Sequence, residues 1–128
     1  MRRVNSALAD FLGEAGFSPR HINRVRLVVE ELVVNIITHA FAEGSPHTIA
    51  LTLRSDPRHV MVETEDDGKP FDPRGAAPPP LGRPIEEQGN GGYGIYIVKR
   101  MTQSLDYERV DGKNRTRAVV ADETQEAP

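Results

Sequence analysis

Twenty residues, Ile22 to Phe41, run I-N-R-V-R-L-V-V-E-E-L-V-V-N-I-I-T-H-A-F, inside the longest segment free of glycine and proline. Such a stretch makes about five turns of helix. Ile22, Val25, Val29, Leu32 and Ile36 recur at helical spacing and give one continuous apolar stripe. Glu31, Asn35 and His39 follow one another at four-residue steps, so they stack along one side of the cylinder. With about 100° between residues, this polar line runs beside the apolar stripe and not opposite it. A carboxylate, an amide and an imidazole are thereby aimed at the edge of a core, where polar groups are costly unless paired. One long helix forming the wall of a ligand site is the arrangement this predicts.

A chain of 128 residues is long enough for a single domain with one core. Its formal charge is −3, with acids and bases mixed throughout, so it offers no basic footprint for direct nucleic-acid binding. The absence of cysteine excludes disulfides and thiolate chemistry. His21, His39, His47 and His59 are too scattered to suggest zinc. No apolar run reaches membrane-spanning length and no signal-peptide pattern opens the chain, which points to a cytoplasmic protein with no membrane contact.

The remaining elements fall around the long helix. Val4, Leu8, Phe11 and Leu12 mark an amphipathic helix over 3–14, and Ser18-Pro19 is a start signal for the next. Ile49, Leu51 and Leu53 alternate as one buried strand face, and Val60, Val62 and Thr64 alternate again, with Asp66 next in register. Residues 48–66 therefore read as a β-hairpin that ends in an inward carboxylate. Residues 68–92 hold six of the ten prolines and read as a long loop of the lid type. Ile95, Ile97, Val98 and Met101 indicate a helix opening at Gly92 to Gly94. Residues 105–110 and 116–121 are expected to be strands joined by an Asp111-Gly112 turn. The tail, 122–128, is polar. The order α-α-β-β-lid-α-β-β describes an α+β two-layer domain over 1–121.

Three features carry chemistry. Asp66-Asp67-Gly68 can offer a ligand's exocyclic amine an acceptor, with Gly68 permitting close approach, or it is an ordinary acidic turn. Gly89 to Gly94 leads into a helix start, where backbone N–H groups and the dipole suit phosphate, or it is a hinge. Asn35 can take one vertex of a Mg²⁺ whose other ligands are phosphate and water, while Glu31 one turn away can accept a proton as general base. The alternative for that pair is a solvated helix face.

Taken in order, these residues resemble a known family. Glu31-x-x-x-Asn35 with His39-Ala40-Phe41 resembles the N box of the GHKL, or Bergerat-fold, ATPases; Asp66-x-Gly68 with Pro70-Phe71-Asp72 resembles their first glycine box, and Gly92-x-Gly94-Ile95 the second. Asn114-Arg115-Thr116 sits where the last strand carries a polar residue towards the phosphates. The combination is most similar to bacterial anti-sigma-factor serine/threonine kinases, over roughly residues 4–120.

The resemblance implies a two-layer α/β sandwich, with a mixed, mostly antiparallel sheet, helices on one face and a flexible ATP lid over about 69–91. It implies ATP and Mg²⁺ as cofactors, Glu31 as general base and Asn35 as the metal ligand. Asp66 would contact adenine, Gly68 would shape its pocket, and Gly91, Gly92, Gly94 and Thr116 would surround the phosphates. His39 matches the pattern and is expected to pack beside the site. The partners implied are a small anti-sigma factor antagonist as substrate and a sigma factor, with a homodimer suggested by a bare sheet edge. The competing reading is an ATP-binding module that sequesters a partner and transfers nothing.

Overall fold

The computed structural model describes residues 1–42, 44, 46–75 and 92–121. Most of the expected lid, including Gly91, and the tail 122–128 lie outside the described residues. Helix α1 (Arg2–Glu14) is followed by α2 (Pro19–His39), the hairpin strands β1 (Ile49–Ser55) and β2 (His59–Asp66), and a 3-10 turn over Pro73–Gly75. Helix α3 (Gly92–Met101) then leads to β3 (Ser104–Val110) and β4 (Lys113–Ala121). The strands form one sheet in the order β1-β2-β4-β3, and all three pairings are antiparallel.

Helix α2 begins where Ser18, in extended conformation, accepts a hydrogen bond from the His21 N–H at 3.1 Å, with Pro19 in the first turn. Val25, Val28, Val29, Leu32 and Ile36 are buried along its inner face. The first four meet Leu8 and Leu12 of α1, Ile95 and Val98 of α3, and Val60, Val62, Ala118 and Val120 of the two central strands in one core. All three helices thus cover the same face of the sheet. His21 is buried beneath the start of α2, and its Nε2–H donates to the Val120 carbonyl at 3.1 Å, fastening the helix to β4. Since a carbonyl only accepts, that bond fixes the proton on Nε2.

The second hairpin turns at Asp111 and Gly112, both at positive φ (51° and 76°), the backbone that a two-residue turn between twisted strands requires. β4 starts three residues before the expected 116. Asn114, Thr116, Ala118 and Val120 face the helices, while Arg115 and Arg117 face outward. The outward arginines are matched by acids on the neighbouring strands: Arg115 contacts Glu65 at 2.8 Å and Glu108 at 3.2 Å, and Arg117 contacts Glu63 at 2.7 Å. Exposed pairs of this kind contribute little to stability, but they are consistent with the cross-strand register.

Strand β1 departs from the expected buried face. Leu51 and Leu53 are only partly buried, because β1 is an edge strand and α1 covers it incompletely, with Phe11 itself exposed. No helix among the described residues is long and apolar enough to cross a membrane.

Candidate functional site

The inward alternation of β2 and β4 brings a polar patch beneath the C-terminal half of α2. Thr64 and Asp66 on β2 stand opposite Thr116 and Asn114 on β4 in the strand register. Asn35 descends onto them from α2. Relative exposures of 1% for Asn35, 3% for Asp66 and 4% for Thr116 make this a polar cluster in a core, not a solvated face. The three line one small cavity of about 10 Å³, with Leu32, Ile36, Phe71 and Pro73 as its other walls among the described residues. A space of that size holds no more than one water molecule. A larger ligand reaching all three polar side chains must displace Phe71 or Pro73.

The hydrogen bonding inside the cluster is uneven. Asn35 Nδ2 donates to the Glu31 backbone carbonyl at 2.9 Å, but its Oδ1 is buried without a partner among the described residues, as is the Thr64 hydroxyl. Buried polar atoms are normally paired, and an orphaned amide oxygen fits a cation or a ligand donor. No group of three or more His, Cys, Asp or Glu side chains placed to hold a metal occurs among the described residues. The donor set therefore fits an ion held largely by phosphate and water, with Asn35 Oδ1 as a single protein vertex.

Asp66 Oδ1 accepts from the Gly68 N–H at 2.9 Å and from Asn114 Nδ2 at 3.0 Å. Among the described residues, Oδ2 accepts no hydrogen bond.

The need for glycine at 68 has a different physical origin from the expected ligand approach. A Cβ there would lie 2.5 Å from the Ala40 carbonyl oxygen and 2.8 Å from the Ala40 Cβ. The turn after β2 is pressed against the end of α2, and the Lys69 N–H donates to that same carbonyl at 2.9 Å. Gly68 also borders an open cleft of about 400 Å³, with Phe41, His47 and Asp67 among its walls.

Glu31 sits one turn before Asn35, half-buried, outside the lining of the small cavity. Burial pushes its carboxyl above the ordinary glutamate range, and the neighbouring Glu30 charge adds to the rise. His39, another turn on, stacks on Phe71 with ring centroids 4.9 Å apart and 25° between planes. Gly92 and Gly94 form the first turn of α3, which packs along α2. Asp72 is held below the usual carboxylate range chiefly by the hydrogen bonds it accepts from the Arg74 side chain, the shortest at 2.9 Å.

Several participants were not singled out by residue type. Thr64 is legible as the β2 position between Val62 and Asp66. Asn114 follows from extending the inward alternation of β4 back from Thr116. Phe71 stands in the Pro70-Phe71-Asp72 run that resembles the first glycine box, but nothing in that run places it, or Pro73 beyond it, in the cavity wall.

Comparison with known proteins agrees with this architecture. A model of the histidine kinase-like ATPase domain matches residues 1–120. Serine/threonine-protein kinase BtrW of Bordetella bronchiseptica is 39% identical over 88 residues, covering 69% of this chain and 62% of that protein. Serine-protein kinase RsbW of Bacillus cereus is 25% identical over 114 residues, covering 85% of this chain and 70% of its own length. This chain thus spans less than two thirds of the Bordetella protein. Among solved structures, the histidine kinase domain of a blue-light activated histidine kinase from Erythrobacter litoralis superposes with a TM-score of 0.58 at 20% identity, over 94% of this chain and 58% of that one. The buried Asn35–Asp66–Thr116 cluster thus lies in a four-stranded sheet roofed by three helices whose fold and sequence have known counterparts, and the chain belongs to the histidine kinase-like ATPase domain family.

Proposed function

We propose that this chain is an ATP-dependent serine/threonine protein kinase that also acts as an anti-sigma factor. It would phosphorylate a small anti-sigma factor antagonist in a cytoplasmic partner-switching pathway and bind a sigma factor. The observation that carries this reading is the juxtaposition on α2 of an orphaned buried amide oxygen, Asn35 Oδ1, with a carboxyl raised by burial one turn earlier, Glu31. A pure nucleotide-binding module needs the first and has no use for the second. The names of the Bordetella and Bacillus relatives support the same class of reaction.

In this reading Asp66 receives the adenine amino group, Thr116 lies beside it, and Asn35 supplies one ligand to Mg²⁺. Bound Mg²⁺ neutralises charge on the transferred phosphoryl group. Gly92 and Gly94 at the start of α3, with Gly91 outside the described residues, would offer backbone N–H groups to phosphate. The outer edge of β1, unpaired among the described residues, suits pairing with a second copy.

The test is transfer of label from γ-labelled ATP, with Mg²⁺, to the cognate antagonist. Tight nucleotide binding without transfer by the wild-type protein establishes the sequestering module instead. Asn35→Ala is expected to abolish the gain in ATP affinity that Mg²⁺ gives the wild-type protein, measured by calorimetry with and without the metal. Retention of that gain overturns the metal assignment.

A further inference from the structure

The Asn114 side chain has the densest hydrogen bonding in the structure around the candidate site. It is buried to 2% exposure at the start of β4. Its Nδ2 donates to Asp66 Oδ1 at 3.0 Å and to the Lys69 carbonyl at 2.8 Å. Its Oδ1 accepts from the Tyr107 hydroxyl at 2.6 Å, Arg109 Nη1 at 3.1 Å and the Phe71 N–H at 3.2 Å. Arg109 Nη1 also donates to the Gly68 carbonyl at 2.7 Å. One carboxamide thus joins three strands to the turn that follows Asp66.

We infer that Asn114 is a positioning residue for base recognition: it holds the Asp66 carboxylate so that Oδ2 faces an incoming exocyclic amine. The inference rests on the nucleotide reading of the site given above. A carboxylate on a strand end can rotate about its terminal torsion, which is broad and roughly two-fold. Two donors on the same oxygen remove that freedom. One is the Gly68 N–H, whose direction follows from the turn; the other is Asn114 Nδ2, the side-chain donor. The amide is itself oriented, because the three donors on its Oδ1 can meet only an oxygen, and this leaves the NH₂ group pointing at Asp66. Tyr107 and Arg109 on β3 therefore act on Asp66 through Asn114 and do not touch it themselves.

A role limited to tying down the turn makes a different forecast. Loosening the turn weakens all nucleotides alike, whereas misorienting Asp66 weakens only those with an exocyclic amine at the purine 6-position. The experiment measures binding of ATP and of inosine triphosphate, which has an oxo group there, to the wild-type protein and to Asn114→Ala. The wild type is expected to prefer ATP, and the variant to lose about tenfold of that preference, the scale of one hydrogen bond to a charged group. Tyr107→Phe removes a donor that orients the amide, adds no charge beside Asp66, and carries the same test if the alanine variant does not fold. An unchanged ATP-to-inosine-triphosphate ratio in a folded variant overturns the role of Asn114 and leaves Asp66 as base acceptor. No preference in the wild type overturns both the inference and the base-recognition reading on which it rests.

Discussion

Substituting Glu31 by glutamine is expected to slow phosphoryl transfer to the antagonist by about 10²- to 10⁴-fold, the range that a positioned general base contributes. Nucleotide affinity should change little. The hydrogen bond that seats Asn35 is accepted by the Glu31 backbone carbonyl, which the substitution leaves in place. Single-turnover transfer and equilibrium binding, measured side by side, separate the two quantities. A parallel fall in affinity would make Glu31 a pocket-building residue and remove its chemical role.

The pH profile supplies a second reading of the same residue. Burial, with Glu30 as the lesser cause, raises the Glu31 carboxyl above its ordinary value of 4.5. A base must be ionised, so transfer should fall on the acid side at a pH above the usual glutamate range, and this limb should vanish in Glu31→Gln. For stability the sign is the reverse of the usual salt-bridged acid. Between the unfolded and the raised folded pKa the native state holds more protons, so this group's contribution weakens as pH rises through that window. At neutral pH the glutamine variant should therefore melt no lower than the wild type.

Gly68→Ala is expected to destabilise the domain by about 2 kcal/mol, within the range for overpacked sites, and to lower Tm by about 5–10 °C. The added Cβ meets the backbone carbonyl of Ala40 at 2.5 Å, and no side-chain rotation relieves a backbone contact. Relief requires the end of α2 and the turn after β2 to move apart, which also lengthens the Lys69 N–H bond to Ala40. Gly13 in the last turn of α1 is the control, since a Cβ there meets nothing within 4 Å. Gly13→Ala should be neutral or slightly stabilising through helix propensity. Equal thermal melts for the two variants would show that the contact with Ala40 is not what requires glycine at position 68.

The elements that the sequence makes legible are those where one physical rule acts alone. The apolar stripe of α2 and its Ser18-Pro19 start gave the helix, and strict alternation gave β2 and placed Asp66 inward. The start of β4 was less visible, because Lys113, Asn114 and Arg115 are all polar and alternation by hydrophobicity has nothing to read there. Only the pairing of Arg115 with Glu65 and Glu108 tells which of them face outward. For the candidate site, residue type and spacing indicated Asn35 and Asp66, and the family resemblance added Thr116; the three share one cavity. Glu31 lies a turn away from its lining, and the roof made by Phe71 and Pro73 is a tertiary matter with no local signature. The crowding at Gly68 is equally hidden, since Ala40 is distant in sequence and ordinary in kind.

With about 10 Å³ free beside Asn35, Asp66 and Thr116, a base that reaches all three from the side of Phe71 and Pro73 must move those residues outward. The measured affinity for nucleotide is then the affinity of the open form reduced by the fraction of molecules that are open, so a hundredfold excess of closed chains weakens binding about a hundredfold. Any protein surface that holds Phe71 and Pro73 outward raises that fraction without touching the nucleotide. By linkage, bound nucleotide would strengthen the grip of such a surface by the same factor, and partner binding would then depend on nucleotide through two side chains.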